Sequence, residues 1–193
     1  AAFDARDLDR IALRGGAGRV SLRALAAPDA PDSVRVRVEL RSSDTRRLRE
    51  QCVPGARFDS ARAAGELRLA VRQAGRDRCG EHWEIELPSR LAARLEFGNA
   101  NVLVDGIAGG LHVRLRSTGR VEGTLGGGSA DVEIGVGHVE LASRDSSYGA
   151  IDLHSSNGRV ALSLLGHEVK PENRPGPSSA LRVEGRAGSS IRL

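Results

Sequence analysis

The chain has 193 residues, enough for one domain with a sizeable core. Only 3% of them are aromatic and 24 are glycine, so the core must be built from Val, Leu, Ile and Ala in the thin layers that stacked repeats use. The net charge of +4 rests on 28 Arg and a single Lys, Lys170, without a basic block interleaved with aromatics; this speaks against nucleic acid, and no apolar run is long enough to span a membrane.

The chain opens AAFDARD, as a mature protein does after cleavage at an A-x-A-like site, so a periplasmic or extracellular location is expected. Alternation starts at once. Ile11 and Leu13 lead to GGAG at 15–18 and then to Val20, Leu22 and Leu25, a hairpin or a tight corner between two strands. APDAP at 27–31 is loop. SVRVRVEL at 33–40 is a strict period-2 strand, with Val34, Val36, Val38 and Leu40 on one face and Arg35, Arg37 and Glu39 on the other. RSSDTRRLREQC at 41–52 is the best helical candidate, a turn or two near 43–51 with Ser43 or Asp44 as cap. ELRLAV at 66–71 and WEIEL at 83–87 are further strands, and Pro88 ends the latter.

Cys52 and Cys79 are the two cysteines. An even count suits one disulfide in an exported chain, and closing a loop of 27 residues would add roughly 3 kcal/mol. Two cysteines without CxxC spacing make no metal site.

The second half carries a repeat. NVLV, LHVRL, RVEGTL, ADVEI, HVEL, AIDL and RVALSL recur between Gly, Asn and Ser corners. Their central residues, Val104, Val113, Val121, Val132, Val139, Ile151 and Val160, are unevenly spaced. Alternate members are more regular: Val104, Val121, Val139 and Val160 lie 17, 18 and 21 apart, and Val113, Val132 and Ile151 lie 19 and 19 apart. Two interleaved ladders imply two short strands per coil of about 18–19 residues, hence an all-β β-solenoid or β-roll over 83–164. Irregular N-terminal strands over 1–82 would cap one end. A loop over 165–179 and closing strands over 180–193 would cap the other. The whole reads as a single domain, 1–193.

IELPSRLAARLEFGNANVLVDGIAGGLHVRLRSTGRVEG resembles a bacterial family named putative adhesin, exported β-roll or β-solenoid proteins. The matching positions are Leu87-Pro88, Leu95, Gly98, Val102 to Ile107, Gly110 and Leu111 to Leu115. SSNGRVALSL at 155–164 matches the family's repeated unit, and the resemblance spans roughly residues 11–164. It implies a fold and carries no catalytic residues. The cysteine pair and the arginine-rich first half depart from the pattern.

The five histidines show no metal-ligand spacing, GGGSAD at 126–131 lacks the Lys of a phosphate loop, and no cofactor is expected. Arg144, Asp145 and Tyr148, with His154 nearby, form the most polar corner of the repeat. They are candidates for a carbohydrate site, or an ordinary turn whose Asp and Ser satisfy their own backbone. Arg35, Arg37, Arg68 and Arg72 point outward, as a basic face for anionic polysaccharide or as a solvated face. The expectation is a non-catalytic, envelope-associated binding or structural module, adhesin-like, whose partner is a glycan or an envelope protein. The alternatives are an enzyme acting on polysaccharide and a periplasmic partner in an envelope-stress pathway.

Overall fold

A computed structural model describes residues 1–25, 32–73, 79–143, 145–169 and 178–184. In chain order they form β1 (Ala2–Asp4), β2 (Arg10–Leu25), β3 (Ser33–Arg41), a helical turn α1 (Thr45–Arg47) running into a π-helical turn (Leu48–Cys52), β4 (Ala56–Ala63), β5 (Glu66–Gln73), β6 (Gly80–Pro88), β7 (Ala92–Ile107), β8 (Leu111–Leu125), β9 (Gly128–Ser143), β10 (Tyr148–Leu164), β11 (His167–Val169) and β12 (Ser179–Val183). The protein is all-β. The expected loop at 27–31, the arginine at 144 and the closing residues 189–193 lie outside the described residues.

β2, β7, β8, β9 and β10 run parallel, each hydrogen-bonded to the next. Each is one continuous strand where two short strands were expected, and the inward alternation changes phase partway along. In β7, Ala93, Leu95 and Phe97 are buried; Gly98 and Asn99 are not; then Ala100, Val102 and Val104 are buried. Because successive side chains alternate faces, two outward residues in a row let both arms of a bent strand face one side. Both arms bury their Val, Leu and Ile in a single core. GGAG at 15–18 is such a corner within β2, not a hairpin.

Stacking follows the repeat with offsets of 18 to 21 residues, but the register differs from the expected one. Val113 lies beside Val132 as expected, whereas Val132 lies beside Leu153 and Ile151 beside Ala130. In the other arm Val20, Val102, Val121, Val139 and Val160 form one row, and Val104 lies beside Gly123. Alternation alone tolerates a slip of two residues, because it leaves every side chain on its original face. The corner glycines remove that freedom. Gly119, Gly137 and Gly158 are direct neighbours across β8, β9 and β10. A Cβ on Gly137 would stand 1.8 Å from the Gly119 carbonyl oxygen, and one on Gly158 would stand 1.8 Å from that of Gly137. Beside this column the Asn99 Oδ1 accepts from the Thr118 N–H and hydroxyl, both at 3.1 Å.

The strand next to β7 is β2, not the segment just before it. The first arm of β2 pairs with β5 (Arg10–Arg14 with Glu66–Ala70) and the second with β6 (Gly18–Leu25 with Glu81–Pro88). At this fork the Gly16 N–H has no ladder partner on that side. The Glu81 Oε1 accepts it at 3.4 Å, while Oε2 accepts the Trp83 indole N–H at 2.9 Å. Gln73 clamps the backbone of Cys79, accepting its N–H at 2.7 Å and donating to its carbonyl at 3.0 Å. Cys79 is disulfide-bonded to Cys52, with Cα atoms 5.9 Å apart. That bond ties the fork to the helical turn, which Asp44 caps by accepting from the N–H groups of Arg46 and Arg47.

The ends of the stack are antiparallel. β4 flanks β5, β3 flanks β6 and β1 flanks β3, while β12 and β11 flank the first and second arms of β10. The sheet is thus mixed and does not close on itself. β11 falls within the segment expected to be loop: a turn at Leu165 and Gly166 returns the chain beside β10.

Three stability measurements by urea titration test this account. Gly137→Ala should lower the free energy of unfolding by about 1–3 kcal/mol or more, since the methyl meets a carbonyl in a backbone few side-chain-bearing residues adopt. Gly80→Ala, whose Cβ would have nothing nearer than 3.5 Å, should change it by less than about 0.5 kcal/mol in the same urea titration. Reducing the disulfide should cost about 3 kcal/mol.

Candidate functional site

The first arms of the stacked strands present an outward face whose residues are set by register. One row runs Ala61, Arg68, Ala12, Arg94, His112, Asp131, Asp152 across β4, β5, β2, β7, β8, β9 and β10. The next runs Asp59, Ala70, Arg14, Glu96, Arg114, Glu133, His154 across the same strands. At the β10 end the charges pair off along the rows. His112 Nδ1 lies 2.9 Å from an Asp131 oxygen and Arg114 Nε lies 3.2 Å from Glu133.

At the β4 end the face sinks into a trough of 730 Å³ floored by Ala12, Ala61 and Ala70. Five arginines line it (Arg10, Arg14, Arg68, Arg72 and Arg94) with three carboxylates (Asp59, Glu66 and Glu96). Two of the carboxylates sit low. The Glu66 side chain is 10% exposed and is bridged by Arg10 at 2.7 Å and by Arg68. The Glu96 side chain is 17% exposed and is bridged by Arg14 at 3.1 Å and Arg94 at 2.7 Å. Arg72 pairs with Asp59. Each glutamate therefore carries two guanidiniums, which reach past it into solvent, and among the described residues the trough holds an excess of two positive charges.

The arginines keep both glutamates ionised. The hydrogen bond from Arg68 lowers the Glu66 pKa from its ordinary 4.5, helped by Arg10 and opposed by burial. Burial pushes Glu96 up, but the hydrogen bond from Arg94 and the charges of Arg14, Arg94 and Arg116 outweigh it, and its pKa too lies below 4.5.

A second trough, of 740 Å³, lies on the outer face of the other arm. There Arg120, His138 and Arg159 form one row and Glu122 and Glu140 the next, with Glu168 at the rim. Among the described residues its carboxylates outnumber its arginines, whereas arginines outnumber carboxylates in the first trough.

The residues singled out from sequence fall in separate places. Arg68 and Arg72 lie in the arginine trough. Arg35 and Arg37 lie on β3, which follows the other arm, and pair with Glu86 at 3.5 Å and Glu39 at 2.6 Å. Asp145 is exposed and accepts from the N–H and hydroxyl of Ser147 at 2.9 and 2.8 Å, hydrogen bonds that lower its pKa. Tyr148 is buried in the core, and His154 is half-exposed on the first-arm face. With Tyr148 inside and Asp145 and His154 outside, these three do not converge. Arg10, Arg14, Arg94, Glu66 and Glu96 were not singled out. Their only signal is outward alternation in RIALR, ELRL and ARLE, and only pairing brings those segments together. Among the described residues no three His, Cys, Asp or Glu side chains gather as a metal-binding group, and no helix is long and apolar enough to cross a membrane.

No protein-family model matches the chain, and no curated protein matches it. Among solved structures, one described as a putative cell adhesion protein from Clostridium sporogenes ATCC 15579 aligns over 98% of this chain and 88% of that one, at 11% identity and a TM-score of 0.49.

The depressed pKa values set a pH dependence. A carboxylate whose pKa is lowered by folding stabilises the fold above its unfolded value and loses that contribution as pH falls through its folded value. The stability gap between the wild type and a Glu66→Gln, Glu96→Gln double variant should thus be full at neutral pH and shrink as pH falls below 4.5. Thermal melts of both proteins across that range measure it.

Proposed function

We propose that this chain is a non-catalytic interaction module of adhesin type, working outside the cytoplasm on a β-roll scaffold in which each bent strand is one coil. The observation that carries the reading is the arginine trough at the end of a long, register-aligned outer face. Strand neighbours repeat about every 4.8 Å, so the face from β5 to β10 extends roughly 24 Å across the strands. A surface of that length suits an extended partner better than a compact metabolite, which needs an enclosed pocket. The Cys52–Cys79 disulfide is compatible with an oxidising compartment. The motif resemblance over roughly 11–164 points the same way.

Glycan hydrolysis by paired carboxylates requires one acid held protonated near neutral pH, so its pKa must be raised. Both low-lying trough glutamates are shifted in the opposite direction. Their oxygens accept from arginines and stay ionised, which favours holding a ligand over transferring a proton.

The test is a binding and turnover assay with the oxidised chain on a glycan array and on bacterial envelope fractions. Saturable binding without shortened or unsaturated products is expected, and Arg35→Ala should leave it unchanged. Release of oligosaccharide fragments would replace the reading with an enzymatic one. Absence of binding to every glycan and envelope fraction would remove it.

A further inference from the structure

The centre of the trough is Ala12, and four arginines surround it. Arg10 and Arg14 lie two residues to either side along β2, and Arg68 and Arg94 lie directly beside it on β5 and β7. By strand geometry Arg68 and Arg94 are about 9.6 Å apart and Arg10 and Arg14 about 13 Å apart. Parallel partners and alternate residues share a face, so all four guanidiniums rise from one side of the sheet around a methyl group. Arg14, the most exposed of the four, is 74% exposed. We propose, building on the binding-module reading, that this trough takes an anionic polysaccharide, its carboxylate or sulfate groups on the four arginines and its hydroxyls on the carboxylates between them.

Three observations select this ligand class. Guanidinium groups only donate and carboxylates only accept, and the trough interleaves them. A matching chain must offer fixed anionic acceptors and neutral donors at short intervals, and acidic sugars carry both on each residue. Arginine adds a planar fork that fits oxyanions bidentately. Secondly, among the described residues no aromatic side chain lines the trough. Single-stranded nucleic acid draws much of its affinity from stacking on such groups, and its phosphates would meet Glu66, Glu96 and Asp59 without hydroxyls to satisfy all of them. Thirdly, β2 is hydrogen-bonded on both sides at Ala12, so the centre of the floor, where the four arginines meet, offers no free strand edge for an acidic peptide to extend.

The test is a titration of the intact, oxidised protein with five probes of similar length: dextran sulfate, polygalacturonate, neutral dextran, poly-glutamate and a single-stranded oligonucleotide. Binding to dextran sulfate or polygalacturonate, weakened by salt and at least about tenfold tighter than to poly-glutamate or the oligonucleotide, is expected. The two anionic arms separate sulfate from carboxylate preference. Ala12→Glu places a carboxylate among the four arginines, so it should abolish that binding without lowering the melting temperature. If that variant misfolds, Arg94→Lys keeps the charge, removes the fork and should weaken binding several-fold. Arg159→Ala, in the other trough, should change nothing. Equal binding of all the polyanions, or binding untouched by both trough variants, would overturn the assignment. So would binding confined to neutral glycans or an envelope protein, which leaves the binding-module reading standing. Failure to bind any probe, glycan or envelope fraction would remove both.

Discussion

For β8, β9 and β10 to follow one another this closely around their corner, no side chain can stand between their backbones there. Gly119, Gly137 and Gly158 meet that requirement as a column, each with the preceding carbonyl where a Cβ would go. Everything else depends on it. The column sets which residues are neighbours, and the neighbours set both the inner rows of Val and Leu and the outer rows of charge. With few aromatics available, the core gains its stability by repeating one small contact many times. Each buried aliphatic side chain contributes about 1.5–3 kcal/mol, provided its row stays in line.

The same register that aligns the core decides which charges meet. Along β8 to β10 His112 faces Asp131 and Arg114 faces Glu133, while Asp152, beside Asp131, is bridged by Arg182 of β12. At the β2 end each of two half-buried glutamates holds two arginines. A carboxylate placed low under two guanidiniums is neutralised, and it also props both cations upright, which a lone surface arginine would lose to side-chain entropy. Positive charge is thereby concentrated without exposing an apolar patch.

The N-terminal end solves a different problem. One strand, β2, has to serve two neighbours, β5 and β6, and the junction would leave the half-buried Gly16 N–H without a partner. Glu81, Trp83 and Gln73 fill that junction, and the disulfide holds it to the helical turn. Glu81 is 3% exposed, a costly place for a carboxylate unless its oxygens are satisfied, and each accepts a hydrogen bond. The same crowding explains Gly15, where a Cβ would lie 2.2 Å from the Phe97 ring.

Period-2 alternation and glycine corners made the all-β class, the offset of about 19 residues between neighbouring strands, a helical turn near 43–51 and the pairing of Cys52 with Cys79 legible in the sequence, because each arises from local geometry or from a count of two. Register was not legible to within two residues, since a slip of Val104 for Val102 or Ile151 for Leu153 keeps every side chain on the same face. Nor was the place of β2, which lies beside β7 although Leu13 and Leu95 are 82 positions apart. Arg68 and Arg72 could be read as outward-facing, but not that Arg10, Arg14 and Arg94 stand around them. A strand's own pattern says which face a residue occupies. Only long-range pairing says whose neighbour it becomes, and in this protein the candidate site consists of those neighbours.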